Sequence, residues 1–380
     1  MKKSRFFAFS PGFGYNPFFF GLKRVTTGVF AAGFSGLFIY YYTDSRAAIH
    51  TYGTCLLLRT IVPPELAHSF AIKAIRWGLA PWDKKIDDSS LMLNVWGKTV
   101  SNPVGLAAGV DKQAEAIDGL FDLGFGYVEV GSVTPRPQSG NPSPRFFRLK
   151  KDACLINRYG FNSDGHDVIA RRLHDRIFKY VFKNYPDLGR IPPFLALSAR
   201  NIELVNFLNI PKSLRKNKLL AVNLGRNKDS SEIDDYVRGV RRLGHYADVV
   251  VVQERDLLPD PKPALCIKIS PDLTDLELQD IVDVIAKIPI DGVVVSNTTI
   301  QRPENLKEDK FLHEQGGLSG PPLKSLALDI IKFLRGKLPE NCLIIGCGGI
   351  SSGKDAIEYA RAGASLIQCC TAFGKVTIIS

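Results

Sequence analysis

Polar and glycine residues close the short apolar runs of this sequence, and these residue types bind small polar ligands. Eight of them stand at or just beyond the ends of such runs: Lys112, Ser132, Asn223, Lys268, Asn297, Thr298, Gly348 and Gly349. Together they offer a mostly uncharged set of hydrogen-bonding groups and two cations. A protein interior filled only for packing has no use for such a set, because burying polar groups without partners is unfavourable. We therefore interpret these residues as a ligand site, provided that the fold brings them together.

If these residues form one site, the fold must bring the ends of the apolar runs to one side of the molecule. Beyond Trp96, short apolar runs alternate with helical stretches. They predict strands at residues 102–109, 126–132, 219–225, 248–252, 264–270, 291–297, 342–349 and 365–370. Eight such units predict an α/β protein with a (β/α)8 TIM barrel, whose active site lies at the carboxyl ends of the strands. A doubly wound sheet is the alternative, but it would concentrate its phosphate-binding glycines after the first strand.

The stretch GCGGISSGKDAIEYARAGAS, residues 346–365, has the composition of a phosphate-binding loop. Its glycines stand at a strand end, and Ser351 or Ser352 begins a helix, so that backbone amides would face a phosphate. The next strand ends in Thr371, which strengthens the prediction of a phosphate site.

The composition is that of a folded globular protein, with 380 residues of which 45% are hydrophobic and 10% aromatic. The seven cysteines include the adjacent pair Cys369 and Cys370 but no C-x-x-C, so we predict neither a metal site nor a disulfide framework. The net charge of +11 is compatible with nucleic-acid binding. No stacking or helix-turn-helix motif accompanies the charge, so we expect no nucleic-acid partner.

The N-terminal residues resemble a targeting segment followed by a membrane anchor. Residues 1–24 are basic, contain serine and have no acidic residue, which is typical of a mitochondrial presequence. Residues 25–43 are an uncharged run of about the 20 residues that cross a bilayer as a helix. We predict a transmembrane anchor there, and a secretory signal peptide or a buried core helix are the alternatives.

Residues 44–82 are predicted to form two short helices. The second begins at Pro63, Pro64 and Glu65 and ends at Gly78, and its apolar side chains recur at helical spacing: Leu66, Phe70, Ala74 and Ile75. Such a stripe usually packs on the neighbouring domain. Because it follows a predicted anchor, a surface for an apolar ligand or for lipid is the second interpretation.

Several long motifs closely resemble the membrane-bound, quinone-dependent dihydroorotate dehydrogenases, over about residues 43–371. They are NPVGLAAGVDK, GFGYVEVGSVTPRPQSGNPSPRFFRL, INRYGFNS, VNLGRNK, IKISPDLTD, VSNTTI and GGLSG. The resemblance implies an FMN-containing enzyme of pyrimidine synthesis at the inner mitochondrial membrane, in contact with its lipid. Such an enzyme oxidises dihydroorotate to orotate and passes the electrons to ubiquinone.

The resemblance also implies the site residues. The FMN contacts would be Ala107, Ala108, Gly109, Gly131, Ser132, Asn223, Lys268, Ser296, Asn297, Ser319, Gly320, Gly348, Gly349 and Thr371. The substrate contacts would be Lys112, Asn157, Tyr159, Gly160, Phe161, Asn297 and Thr298. Lys268 would stabilise negative charge on the reduced flavin, and Lys112 would bind the orotate carboxylate. Each asparagine has a turn or a helix cap as its structural alternative.

Residues 44–82 are similar to the quinone hood of the family. His68 and Ala71 would line a quinone tunnel, with Arg148 at its inner end. Taken alone, a histidine such as His68 is more often an ordinary surface or core histidine, and the quinone contact is what the resemblance implies.

One crossover of the barrel is too short. Between Val252 and Ala264 stands only QERDLLPDPKP, whereas a parallel crossover needs a dozen or more residues and usually a helix, which three prolines disfavour. In the family, this strand runs into an N-x-S-S-P-N-T loop with two substrate-binding asparagines and the serine that acts as general base. We predict a deletion after Val252 and no catalytic base, because Glu254 and Asp256 lie on too short a connection to replace it.

Other segments of the sequence also depart from the family's pattern. The chain ends within ten residues of Thr371, so the last barrel helix is expected to be missing, and Cys369 and Cys370 replace a leucine and a tyrosine. Residues 179–217 are predicted to contain an insertion within the barrel region, residues 83–380. Omitting two outer helices is expected to expose the flanks of strands that are normally buried on both faces.

The sequence alone is compatible with two functions. The first is a quinone-dependent dihydroorotate dehydrogenase. The alternative is a catalytically impaired splice or gene-model variant that at most binds FMN and membrane. A soluble fumarate- or NAD-linked relative is disfavoured, because such forms lack the anchor and the hood.

Overall fold

The computed structural model describes residues 17–186, 205–206, 208–230, 232–252 and 263–374. Most of the predicted presequence and about half of the predicted insertion lie outside these residues. Glu254 and Asp256 lie outside them as well. Within the predicted insertion, residues 179–184 continue a barrel helix, and Ile210 and Leu214 are buried in the main apolar cluster.

The central element is a closed barrel of parallel strands. In chain order the described strands are β1 (Leu93–Val95), β2 (Lys98–Val100), β3 (Val104–Leu106), β4 (Tyr127–Val133), β5 (Phe146–Leu149), β6 (Cys154–Asn157), β7 (Leu219–Leu224), β8 (Val249–Val252), β9 (Ala264–Ile269), β10 (Gly292–Val295), β11 (Gly317–Ser319), β12 (Leu343–Cys347) and β13 (Leu366–Cys369). The barrel order is β3, β4, β7, β8, β9, β10, β12 and β13, which closes on β3. The predicted (β/α)8 barrel is confirmed, and each of its strands lies within a predicted run except β4, which extends one residue further, to Val133.

The barrel strands are short, rich in valine and isoleucine, and buried on both faces, as parallel strands between a barrel interior and an outer layer must be. Side chains alternate along each strand. Tyr127 and Val251 belong to the apolar cluster inside the barrel, whereas Val128 and Val250 belong to the cluster between strands and helices. The alternation therefore identifies the strand residues that face the barrel interior.

The described helices are α1 (Pro17–Tyr42), α2 (Cys55–Ile61), α3 (Pro64–Arg76), α4 (Ile117–Asp122), α5 (His166–Asn184), α6 (Glu232–Leu243), α7 (Asp275–Lys287), α8 (Leu323–Arg335) and α9 (Gly353–Ala362). A π-helical turn, His50–Thr54, leads into α2. Sequence signals explain several ends. Pro64 opens α3, and Thr274 with Glu277 forms a capping box at α7. Gly363 ends α9 with a φ of 115°.

Two small sheets cover the barrel ends. The antiparallel pair β1 and β2 packs Val95 and Val100 into the interior cluster, and Trp96 Nε1 donates to the Asp291 carbonyl over 2.9 Å. At the other end, β5, β6 and β11 form an antiparallel sheet that carries Arg148, Asn157 and Ser319. This second sheet forms one wall of the candidate site.

The N-terminal helix α1 contains nearly all of the run predicted to span a membrane. Within the described residues, no helix combines the length and the apolar character needed to cross a membrane. The transmembrane span predicted for residues 25–43 is therefore not confirmed.

The predicted exposure of strand flanks is wrong. All four residues of β8 and all four of β13 are buried. Val250 and Val252 belong to the main apolar cluster, as do Val240 of α6 and Leu278 of α7. The outer flank of β8 is therefore part of the apolar core.

The connection from β8 to β9 is short in the structure as in the sequence. The two strands are adjacent and parallel, with Val249 opposite Ala264 and Val252 opposite Ile267, and only residues 253–263 join them. The chain must return from the carboxyl end of β8 to the amino end of β9 within those residues. That leaves no length for both a substrate loop and a helix.

Candidate active site at the carboxyl ends of the barrel strands

A cavity of about 1040 Å³ lies at the carboxyl ends of the strands and extends beneath α2 and α3. Every residue predicted to contact FMN, substrate or quinone lines this cavity, except Gly131. Gly131 lies behind the wall: its amide donates to the Asp111 carbonyl and its carbonyl accepts from Gly109 N at 2.8 Å. The structure thus brings together residues from the barrel, the covering sheet and the N-terminal helices.

The floor of the cavity is the uppermost inward-facing layer of the barrel. Asn223 of β7, Lys268 of β9 and Gln368 of β13 line it, and Glu129 of β4 lies among them at 0% exposure. The Glu129 carboxylate accepts hydrogen bonds from Asn223 Nδ2 at 2.9 Å, from the Tyr127 hydroxyl at 3.2 Å and from Gln368 Nε2. Three donors compensate the burial of this carboxylate.

Lys268 supplies a buried cation to the same floor. Burial lowers the pKa of Lys268, but the neighbouring Glu129 carboxylate favours its charged form, and the pKa is raised overall. The side chain is therefore charged at neutral pH. A fixed positive charge at the floor favours a ligand that carries or develops negative charge there.

Glycines that follow β11 and β12 present backbone amides at the carboxyl end of the barrel. Gly320, Gly348 and Gly349 have φ values of 123°, 134° and 65°. A Cβ atom on Gly349 would lie 2.9 Å from Lys324 Cβ and 3.0 Å from the Gly320 carbonyl. Among the described residues the amides of these three glycines donate to no acceptor. Free amides at a strand end are the groups that bind phosphate.

Ser351 and Ser352 follow these glycines, and Ser352 is the N-cap residue of α9. Asp355 accepts from Ser351 N at 2.9 Å and from the hydroxyls of both serines, and it also pairs with Lys324. Burial opposes the charge of Asp355, but these contacts lower its pKa to about 2. The helix begins beside these serines as predicted, but the amide of Ser351 and both hydroxyls already donate to Asp355.

A second cation, Lys112, lies at the opposite wall. Its Nζ atom is 2.8 Å from the centroid of the Tyr159 ring, and the Arg145 guanidinium is 5.0 Å from the same centroid. Burial and the charge of Arg145 lower the pKa of Lys112 to about 7. A lysine that is only partly protonated at neutral pH gains its full charge when an anion binds beside it.

Other predicted substrate contacts surround Lys112. Asn157 ends β6 opposite Gly317 of β11, where a Cβ atom would lie 1.9 Å from Thr298 Oγ1. Only glycine at position 317 allows this approach. The Asn297 side-chain oxygen accepts from Thr298 N at 2.9 Å, which is the local turn contact considered from the sequence and leaves its amide NH₂ group for a ligand.

An ion pair and hydrogen bonds connect α3 to the rest of the protein beside Lys112. Glu65 pairs with Arg145 over 2.7 Å and accepts from the Ser143 hydroxyl. Burial opposes the charge of Glu65, but these two partners outweigh burial and lower its pKa. Burial and the nearby Lys112 lower the pKa of His68, so its neutral ring donates from Nε2 to the Val110 carbonyl at 2.6 Å.

The remaining predicted hood residues line the same cavity. Ala71 lies one turn beyond Ala67 on α3, and Arg148 donates to the Val62 carbonyl at 2.9 Å. The outward side of the helices is apolar and exposed: Leu56, Leu57, Ile61, Leu66 and Phe70. Leu66 and Phe70 were predicted to share a stripe with the buried Ile75, but they lie on the opposite, solvent-facing side of α3.

Two cavity cysteines do not supply a base. Burial raises the pKa of Cys347 to about 11, and it raises the pKa of Cys370 despite the nearby Lys268 and Lys112. Both side chains are neutral thiols at neutral pH.

Sequence reasoning missed Glu129 and Gln368. The signal was available, because each is a lone charged or amide residue inside an otherwise apolar strand. Alternation places both on the inner face, where a polar residue needs a partner. Arg145 and Glu65 were also missed, and no pattern in the sequence pairs them.

These features define the class of protein. It is a (β/α)8-barrel protein whose ligand cavity, at the carboxyl ends of the strands, combines two lysines, free glycine amides and an apolar helical cover. Concave cavities at this end of the barrel are where proteins of this class bind their ligands.

Comparisons with known proteins agree with this class. A family model described as dihydroorotate dehydrogenase matches residues 90–253 and 250–379. A mitochondrial dihydroorotate dehydrogenase (quinone) of Schizosaccharomyces pombe is 48% identical over 367 residues, covering 90% of this chain and 82% of the relative. The corresponding protein of Mus musculus is 39% identical, covering 92% and 89%. A crystal structure of DHODH from Eimeria tenella in complex with ferulenol has a TM-score of 0.71 and 35% identity, covering 85% of this chain and 90% of that one. The chain belongs to the dihydroorotate dehydrogenase family.

Proposed function

We propose that the protein is a quinone-dependent dihydroorotate dehydrogenase that uses FMN, with a turnover limited by its short β8 to β9 connection. The observation that carries the proposal is the continuous cavity. It joins a cationic floor, an anion-binding loop, a second lysine and an apolar cover in one volume. Each part matches one of the molecules that the reaction brings together: the flavin, its phosphate, the anionic substrate and the quinone.

The residues fit FMN. The free amides of Gly320, Gly348 and Gly349 would hold the phosphate, and Thr371 adds a hydroxyl, which donates to Ser319 Oγ over 2.8 Å. Lys268 and Asn223 would lie beside the ring. Bound FMN would supply the acceptor for a hydride and the donor of electrons to a quinone. Lys268 favours the reduced form because its fixed charge stabilises negative charge on the ring.

Replacing Gly349 by alanine is expected to weaken FMN binding by about tenfold or more, because a strained φ of 65° and a 2.9 Å contact displace the loop. Gly353→Ala is the matched control, since a Cβ atom there has no neighbour within 4 Å. Titration of each apoprotein with FMN, followed by flavin fluorescence, measures the effect. Equal affinities of the two variants would remove the loop from the phosphate site.

The substrate would bind between Lys112 and the floor. Lys112 would pair with the carboxylate of dihydroorotate, and Asn157 and Asn297 would donate to its imide edge. Oxidation also requires a base that takes a proton from a ring carbon. In the family this base is the serine of the N-x-S-S-P-N-T loop, and the buried thiols Cys347 and Cys370 do not replace it, because burial raises their pKa values.

A quinone would enter under α2 and α3, where His68, Ala71 and Arg148 line the cavity. The exposed apolar side chains of these helices support association with the inner mitochondrial membrane, because a lipid surface is also where the quinone dissolves. Membrane association through this face requires no spanning helix.

The double variant Leu66→Asp and Phe70→Asp is expected to lose binding to vesicles that contain anionic phospholipid, because these side chains are 54% and 57% exposed on the hood face. Leu276→Asp is the matched control, since this leucine is 79% exposed on α7, on the barrel. Flotation in a density gradient measures binding. Retained flotation of the double variant would place the membrane contact elsewhere.

The proposed reaction is tested with the FMN-loaded protein under anaerobic conditions. We expect dihydroorotate to bleach the flavin absorbance slowly, and a soluble ubiquinone analogue to restore it. If dihydroorotate leaves the flavin oxidised, but the quinone analogue restores the absorbance of flavin that dithionite has reduced, the result would instead support the impaired variant, which retains FMN and quinone contact but not substrate oxidation. No response to either reagent would contradict the proposed function.

A further inference from the structure

The buried carboxylate of Glu129 carries an inference about how the floor of the cavity is organised. Glu129 is 0% exposed, so it can act on a ligand only through the residues that it contacts. Its two oxygen atoms have different partners. Oε1 accepts from Asn223 Nδ2 at 2.9 Å. Oε2 accepts from the Tyr127 hydroxyl at 3.2 Å and from Gln368 Nε2. All three partners are donors, as an ionised carboxylate requires.

The charge of Glu129 determines the direction of two successive hydrogen bonds. Because a carboxylate only accepts, the Asn223 amide must direct its NH₂ group toward Glu129. The amide oxygen of Asn223 then points to Ser132, whose hydroxyl donates to it. A neutral residue that could both donate and accept would allow either orientation of the Asn223 amide.

The direction of these bonds decides what Ser132 offers to a ligand. Ser132 lines the cavity and is partly exposed. Because its hydroxyl hydrogen is committed to Asn223, its oxygen can only accept a hydrogen bond from a ligand. Lys268, which lines the same cavity, can only donate. With the Asn223 amide reversed, its NH₂ group would face the Ser132 oxygen and the hydroxyl would be free to donate instead.

We propose that Glu129 is a positioning residue of the flavin site, whose charge fixes the orientation of the Asn223 amide and thereby makes Ser132 a hydrogen-bond acceptor for the cofactor. The inference rests on the proposed use of FMN, whose ring imide and ribityl hydroxyls are donors of the required kind. It gives the buried carboxylate a role that filling space does not require. An amide at position 129 would fill the same volume, but it would not fix the direction of the hydrogen bonds.

The test moves the negative charge from position 129 to position 223. Asn223→Asp alone places two carboxylates in contact, and we expect it to weaken FMN binding on the order of 100-fold. In the double variant Glu129→Gln with Asn223→Asp, the new amide donates to the new carboxylate, which still accepts from Ser132. The oxygen of the new amide can still accept from Tyr127 and Gln368. We therefore expect the double variant to bind FMN about tenfold or more tightly than Asn223→Asp.

Flavin fluorescence measures the FMN dissociation constants of the unaltered protein, both single variants and the double variant. Thermal unfolding of the apoproteins measures the same rescue without the cofactor. Glu340→Gln is the matched control for the loss of a carboxylate, because Glu340 is exposed, and it should change neither quantity. Rescue by the second substitution supports the inference, because a loss caused by altered packing alone would not be reversed by a second change beside it.

Two results would overturn the inference. One is FMN binding by Asn223→Asp that equals that of the unaltered protein. The other is a double variant that binds FMN no better than Asn223→Asp or, where that single variant does not fold, a double variant that does not fold either. An unaltered protein that binds no FMN would contradict the proposed function instead. The unfolding measurements would then decide the orienting role alone, and a double variant no more stable than Asn223→Asp would overturn it.

Discussion

Inserting the family's N-x-S-S-P-N-T loop and the helix that follows it after Val252 is expected to raise the rate of orotate formation by about 10² to 10⁴. In the structure β8 and β9 are adjacent parallel strands joined only by residues 253–263. The family model also matches the chain in two stretches that meet at residues 250–253. A general base placed beside the substrate contributes a factor of this size, because it removes the ring proton as the hydride leaves the neighbouring carbon.

The measurement is orotate formation with a soluble quinone analogue, for the unaltered and the extended protein at equal flavin content. The matched control is the same insertion with both serines replaced by alanine, which restores the helix and the asparagines but not the base. Equal rates for the unaltered and the extended protein would show that the short connection does not limit catalysis. Equal rates for the extended protein and its serine-free control would assign the gain to packing or to substrate binding.

Replacing Lys112 by methionine is expected to weaken orotate binding on the order of 100-fold, the cost of losing a hydrogen-bonded charge partner in a partly buried site. The same residue should make orotate binding depend on pH. The pKa of Lys112 in the free protein is lowered to about 7 by burial and by Arg145, and only the protonated form pairs with the carboxylate. Orotate affinity should therefore be constant below pH 7 and fall by about tenfold per pH unit well above it.

Lys112→Arg is the control for the pH dependence, because arginine keeps its charge across the whole range. Orotate binding to that variant should be weaker from altered geometry but flat between pH 6 and 9. The perturbation of flavin absorbance by orotate reports binding without turnover. A flat pH profile in the unaltered protein would show that Lys112 is already fully charged, and strong orotate binding by Lys112→Met would place the carboxylate elsewhere.

The barrel could be predicted from the sequence because its strands are short apolar runs closed by polar residues. Val249–Val252 and Gly292–Val295 are continuous valine runs of the length of a buried parallel strand. The residues that close the runs had to meet at one end of the barrel, so Lys112, Lys268 and the glycines of β12 were placed correctly in one cavity.

The differences concern contacts that no local pattern shows. Ser351 donates from its amide and its hydroxyl to Asp355, which the composition of the glycine-rich stretch did not indicate. The outer flank of β8 was expected to be exposed, yet all four residues of this strand are buried. Glu129 and Gln368 contact each other although they are 239 positions apart, and no local pattern reports such a pair.

The most direct test of the proposed site is whether the purified chain retains FMN after reconstitution and gel filtration. We expect a yellow protein with stoichiometric FMN, whose absorbance shifts when orotate is added, because the free glycine amides, Lys268 and Lys112 form a single cavity. A colourless protein that retains no FMN at saturating concentrations, while folded by circular dichroism, would contradict a flavin site at the mouth of this barrel.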